Sequence, residues 1–340
     1  MLLAKENKSI ATKDNIDEKL LRCFREKINK VNVISFFYNT PEIFKKVTSY
    51  ALAQRKTVLY ITNELERSIS FVEMIKKDEL GYNYIGDNHD YISKGKINIC
   101  SHNRAFYLGE KFDLVIYDDI NCMPLYNRES IKRLMEACCK NYGTMIAYSI
   151  ESVFQEEISL FHYIDNGGKP LVEPRIINTR LNVNEDLPLV VYDYLSWSMM
   201  SNKKVIIYVP DEEKVENIYN YLENFKDKLT KNIFTYKKDD KDKKSLTKFF
   251  AKGKGIIITN SFNEEEVDLS GVNVMIFFAD DEAFDYKKLT YLSSRASRSN
   301  STDREEVIFL SKDINEDMEN SKEILRELNK RAWEEGLLRL

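Results

Sequence analysis

Two adjacent carboxylates and two arginines three residues apart are the groups in this 340-residue chain best suited to phosphate chemistry. Asp118 and Asp119 close an apolar run in the segment LVIYDDINCMP, residues 114–124. At the end of a buried strand, the first carboxylate of such a pair can hold Mg²⁺ through water, and the second can polarise an attacking water. Strand ends suit this role because they line the ligand crevice of open α/β sheets. An Asp pair also serves as a plain turn or helix cap. Arg295 and Arg298 share one face of a helix. At a domain interface they could reach triphosphate charge, and a solvated basic face is the simpler alternative.

These groups need strands that end together and helices between them. Apolar runs at 31–37, 57–62, 96–100, 113–117 and 144–149 read as strands, with helical periodicity between them, as at 41–53 and 130–139. Residues 165–187, with Gly167, Gly168, Pro170 and Pro174, interrupt the rhythm and read as the end of a first domain and a connector. A second alternation follows, with strands at 203–209, 232–236, 255–259, 272–279 and 305–310. Helices are expected at 211–225 and 244–251, around the arginines, and from about 314 onward. Residues 1–30 read as a polar lead-in and an amphipathic helix with Leu20, Leu21, Phe24 and Ile28 on one face. The expected fold class is α/β, with two tandem domains, 31–187 and 188–340, each a mostly parallel sheet flanked by helices.

Composition narrows the partners. A net charge of −4 provides no global basic field for nucleic acid, though a local groove is compatible with it. The chain has no apolar run of membrane-spanning length and no charged-apolar-small start, so a cytoplasmic protein is expected. Five cysteines without a CxxC pair and three histidines without an HExxH motif predict packed, reduced thiols and no metal site. The run KKDDKDKK reads as a solvated loop. Among the aromatic residues, 12% of the chain, Phe106, Tyr107, Tyr194 and Trp197 fall in expected loops and are the best candidates for stacking single-stranded bases.

The order of these features is specific. The Asp-Asp strand end is followed by a strand closing in Ala147, Tyr148 and Ser149, then by VIIYVP (205–210) and by a strand ending in Thr259, Asn260 and Ser261. The two arginines come last. This succession resembles motifs II to VI of superfamily 2 helicases, and more narrowly the ComFA family of competence DNA-uptake ATPases. VIYDDINCMP resembles that family's IIDEVDAFP, and YLSSRASRS, from Tyr291, resembles QIAGRVGRS. The resemblance covers about residues 31–336 and implies two tandem RecA-like domains. It implies catalytic roles for Asp118, Asp119, Arg295 and Arg298, and nucleic-acid contacts for Thr62, Thr259 and Ser261.

Departures from the family gather at the phosphate positions. Motif I falls on FFYNTPE (36–42), which has no glycine and no lysine. Asn39, Thr40 and Glu42 are the remnant of a nucleotide site, Phe37 and Tyr38 occupy phosphate space, and Pro41 lacks an amide donor. Glu264, Glu265 and Glu266 reverse charge in motif V, and Ser294 and Ser297 replace glycines in motif VI. The expectation is a helicase-like nucleic-acid-binding protein with lost or strongly reduced ATPase activity. Single-stranded DNA and proteins of DNA uptake are its expected partners, with no tightly bound cofactor and Mg-ATP only if active. The alternatives are an active, divergent DNA translocase and a protein–protein scaffold.

Overall fold

The apolar runs of the first half pair as parallel strands. The computed structural model describes residues 16–37, 40–64, 66–77, 80–86, 91–155, 158–162, 168–240, 242–262, 271–296 and 305–338. The chain divides into two units, Met1–Asp165 and Asn166–Leu340.

The first unit runs α1 (Ile16–Arg25), β1 (Lys30–Ser35), α2 (Lys45–Ala53), β2 (Val58–Thr62), α3 (Ser70–Lys77) and β3 (Tyr82–Tyr84). It continues with β4 (Ile97–Cys100), α4 (His102–Ala105), β5 (Phe112–Asp118), α5 (Arg128–Cys138), β6 (Cys139–Ser149) and β7 (Ile158–His162). Its sheet has the order β3-β4-β2-β5-β6-β1-β7, with every pair parallel. All five residues of β2 and all four of β4 are buried, as a sheet covered on both faces requires. Each fully buried aliphatic side chain contributes about 1.5–3 kcal/mol.

Polar residues inside these strands fasten the strands to loops. Asn32 in β1 donates to the Phe154 carbonyl at 2.9 Å and accepts from the Val153 and Phe154 amides, both at 2.9 Å. Asp113 accepts from the Thr57 amide and hydroxyl, both at 2.9 Å, and from Lys140 Nζ at 2.8 Å. Burial alone would raise the Asp113 carboxyl, but the bonds from Lys140 and Thr57 hold it down at about 2. At Gly143, a Cβ would meet Cys139 Sγ at 2.6 Å and the Phe112 and Asp113 carbonyls at 3.0 Å, so β5 and β6 approach closely only without a side chain there.

The second unit runs β8 (Arg175–Asn178), α6 (Leu189–Met200), β9 (Lys204–Tyr208), α7 (Glu212–Glu223), β10 (Ile233–Tyr236) and α8 (Lys244–Ala251). It ends with β11 (Gly255–Thr259), β12 (Val272–Phe277), α9 (Tyr286–Arg295), β13 (Val307–Ser311) and α10 (Glu316–Glu334). Its sheet is also parallel, in the order β10-β11-β9-β12-β13-β8. Asp211, Asp285 and Asn315 cap α7, α9 and α10, each accepting the amide three residues on.

One expectation needs correction. The segment read as a connector up to residue 187 belongs to the second unit. Its β8 pairs with β13, and Leu171, Val183 and Leu187 are buried. Strands β3, β7 and β8 escape a reading by apolar runs because each lies at a sheet edge and contains half-buried or exposed positions. All five cysteines are buried free thiols. Among the described residues no helix is long and apolar enough to cross a membrane.

Candidate functional site

Parallel pairing brings the C-terminal ends of β2, β5, β6, β1 and β7 to one edge of the first unit. Asp118 lies opposite Thr62 and Tyr148 in register, Ile34 opposite Ser149, and Ser35 opposite His162. This is the edge at which an open α/β sheet binds ligands.

Side chains of the chain itself fill that edge. Phe36 and Phe37, directly after β1, are 2% and 1% exposed. Thr40 is half-buried, and its hydroxyl accepts the Glu42 amide at 3.2 Å, capping a short 3-10 turn over Pro41–Phe44; Glu42 itself is exposed. Phe44 meets Tyr148, Tyr60 and Phe71 edge-on, with centroids at 5.3, 6.3 and 6.5 Å. Tyr60 stacks on Phe71 at 4.1 Å. The Tyr148 hydroxyl lies 2.7 Å from His162 Nδ1, and the Ser35 hydroxyl donates to the His162 carbonyl at 2.9 Å. Burial lowers the His162 pKa to about 4, so the ring is neutral. Lys46, one turn beyond the loop, is held by Asp17 and Glu18 of α1 at 2.9 and 2.6 Å. Asn39 and Tyr38 lie outside the described residues.

Asp118 is 0% exposed, and four donors of its own chain occupy its carboxylate. Oδ1 accepts the amides of Ile120 at 2.9 Å and Asn121 at 3.2 Å; Oδ2 accepts the Tyr60 hydroxyl and the Asn121 side-chain amide, the latter at 2.8 Å. Burial pushes its pKa up, against the lowering effect of the Tyr60 and Asn121 bonds. Asp119 is buried as well, with Ser149 Oγ 3.5 Å from its Oδ2. Asp118→Asn is expected to cost about 1–3 kcal/mol, because one carboxylate oxygen becomes a donor facing the donors of Tyr60 and Asn121. Urea unfolding of the two proteins checks this. Equal midpoints would mean that Asp118 is no structural acceptor.

In the second unit, Arg295 is 1% exposed rather than part of a solvated basic face. Its Nη1 donates to the Phe262 carbonyl at 3.2 Å, and its guanidinium lies 5.8 Å from the centre of the Tyr291 ring. Arg298, Ser297 and Glu264–Glu266 lie outside the described residues. Thr62, Thr259 and Ser261 are buried. Both threonine hydroxyls close the same local turn, accepting the amide two residues on: Glu64 at 3.2 Å and Ser261 at 2.9 Å. The structure therefore brings Asp118, Asp119 and Thr40 to one sheet edge and Thr259, Ser261 and Arg295 into the second unit.

Sequence reasoning missed Tyr60, Phe44, Tyr148 and His162. Tyr60 and Tyr148 carry one local signal, a tyrosine inside an otherwise apolar strand run (VLYIT and MIAYS), and Phe44 and His162 carry none. It also misplaced Tyr194 and Trp197, which lie on α6 rather than in a loop; Tyr194 is buried.

Two successive units, each a parallel sheet flanked by helices, form a tandem RecA-like fold. The chain is similar to the DUF1998 helicase MrfA bound to DNA and AMPPNP, at 13% identity and a TM-score of 0.51, over 93% of this chain and 50% of that one. It thus spans half the length of that helicase. It is also similar to a variant of S. cerevisiae Dbp5 bound to RNA and ADP BeF3, at 13% identity and a TM-score of 0.52, over 92% of this chain and 86% of that one. No family model matches the chain, and no curated protein matches it in sequence.

Proposed function

We propose that the chain is a helicase-like nucleic-acid-binding protein of the ComFA, DNA-uptake type whose ATPase activity is lost or strongly reduced. The observation that carries this reading is the edge filled by Phe36, Phe37, Phe44, Tyr60 and Tyr148, where a triphosphate would need open space. Three or four phosphate charges also need amides, a lysine and a metal to replace lost hydration. The described part of the loop after β1 has no glycine or lysine, and Pro41 has no amide hydrogen. A carboxylate that holds Mg²⁺ is ionised and open to the ion. Asp118 is instead closed off by Tyr60 and Asn121, and its protonated form is favoured by burial. The described residues do not fit Mg-ATP.

The neighbours in fold were captured with DNA and with RNA, and this supports nucleic acid as the partner by analogy of fold. We take that partner to be single-stranded DNA, with proteins of DNA uptake as further partners.

Thermal unfolding with Mg-ATP, phosphate release and DNA binding test the reading together. A ligand at about 100 times its Kd stabilises by about 2.7 kcal/mol, so 1 mM Mg-ATP should leave the Tm unchanged, and phosphate release should stay at background with single-stranded DNA. Binding of a labelled oligothymidylate should weaken with salt, log K falling about 0.7 per phosphate contact for each unit of log salt. DNA-stimulated phosphate release would overturn the loss of ATPase activity. Absence of DNA binding would overturn the nucleic-acid role and favour a protein scaffold.

A further inference from the structure

A second cluster at the same sheet edge of the first unit is not explained by the closed strand ends. His102, the first residue of α4, sits at its centre. Its amide donates to Asn63 Oδ1, beyond β2, at 3.2 Å. Its Nδ1 lies 2.8 Å from the Tyr117 hydroxyl of β5, and its Nε2 lies 3.3 Å from the Ser130 hydroxyl of α5. Tyr126 stacks on the imidazole at 3.5 Å and Phe106 meets it edge-on at 5.2 Å. Burial lowers the His102 pKa to about 4, so the cluster is neutral at its core. The ring thereby ties α4 to β5, to α5 and to the loop that carries Tyr126.

What this framework holds outward is aromatic. Phe106 is 52% exposed and Tyr107 is 79% exposed, and Leu125, beside Tyr126, is exposed too. Single exposed rings need no explanation, and Tyr91, Tyr142 and Trp333 are open as well; Phe106 and Tyr107 differ in being adjacent, on the turn that follows a buried cluster. The flanking segments are basic, in a chain whose net charge is −4. Residues 101–112 and 125–133 carry Arg104, Lys111, Arg128, Lys132 and Arg133 against two acidic residues, Glu110 and Glu129. Rigid rings beside positive charge suit unpaired bases on a phosphate backbone, since bases stack on aromatic faces whatever their sequence.

We propose that Phe106, packed against His102, and the adjacent Tyr107 form a stacking platform for the bases of a single-stranded nucleic acid. This rests on the nucleic-acid role proposed above and names the surface that performs it.

The test uses the full chain and two fluorescein-labelled probes of equal charge, an oligothymidylate and an abasic strand of the same length. Wild type should bind the base-bearing strand about 10- to 100-fold more tightly than the abasic one, the range expected for loss of base stacking. Tyr107→Ala, and Phe106→Ala with Tyr107→Ala, should lose that preference while keeping the salt-dependent binding of the abasic strand. Tyr107→Trp should retain the preference, and its added indole emission should be quenched by the base-bearing strand only. Both tyrosine substitutions fall on a largely exposed side chain, and an unchanged Tm confirms an intact fold. Equal wild-type affinity for the two probes, or an unchanged preference in the alanine variants, overturns the platform and leaves the nucleic-acid role standing. No binding of either probe overturns both.

Discussion

Acidification from pH 7 to pH 4 is expected to remove several kcal/mol of stability from the first unit, roughly 3 kcal/mol for each of two buried histidines. His102 and His162 both have pKa values lowered by burial to about 4. In the unfolded chain a histidine titrates near 6.5. Between these values the unfolded state binds the proton and the folded state does not. The stability is therefore fully present above about pH 6.5 and is lost as pH falls towards 4. The loss is comparable to much of the total stability of a domain. The groups that face the two rings, Tyr117, Tyr126, Ser130, Tyr148 and Ser35, are uncharged in this range. Asp118, with its raised pKa, opposes the trend, because protonation favours its buried form. Asp113, held near 2, contributes stability present above about pH 4 and lost below it, so its window is separate. Urea unfolding at several pH values, on wild type and on a variant with His102→Gln and His162→Gln, measures the effect. The variant should be weaker at pH 7 and nearly flat down to pH 4. A flat wild-type profile would show that neither ring is held neutral.

Phe44→Ala should cost the first unit about 3–5 kcal/mol, the range for removing a buried phenyl ring that its neighbours cannot replace. Phe44 is fully buried and faces three other rings, so collapse of the cavity would have to move Tyr60, Phe71 and Tyr148 together. Tyr60 and Tyr148 are also tied to Asp118 and His162 by their hydroxyls. Phe44→Leu keeps most of the volume and should cost about 1–2 kcal/mol. Chemical denaturation of the three proteins decides the point. A loss under about 1 kcal/mol for the alanine variant would mean the strand-end space is loosely filled, and would weaken the case against a phosphate cradle. The cavity by itself should not create Mg-ATP binding, because the amides and lysine that neutralise phosphate are still absent from the described loop.

Much of this fold was legible from local pattern. Strands such as VLYIT and GIIIT are buried on both faces, so their apolar runs announce themselves without knowledge of their neighbours. The strands β3, β7 and β8 pair on one side, and their half-buried or exposed positions interrupt any apolar run. The strand-end position of Asp118 and the absence of glycine and lysine from FFYNTPE were likewise plain in the residues. Their meaning was not. Nothing near Asp118 in the chain says that Tyr60, 58 residues away, will donate to its carboxylate. Nor does the spacing of the arginines say that Arg295 turns inward to the Phe262 carbonyl.

The sequence by itself determined two successive parallel α/β units, their inner strands, and the poverty of the first unit's phosphate loop. Each of these follows from apolar runs and periodicity, or from the presence and absence of particular side chains. Only the tertiary structure decided which side chains close the strand ends and which rings stay open at the same edge. That decision belongs to long-range pairing, because β1 runs between β6 and β7 across more than a hundred residues of chain. Burial then assigns each polar group its partner, since a buried carboxylate or imidazole without one would cost more than the fold can spare.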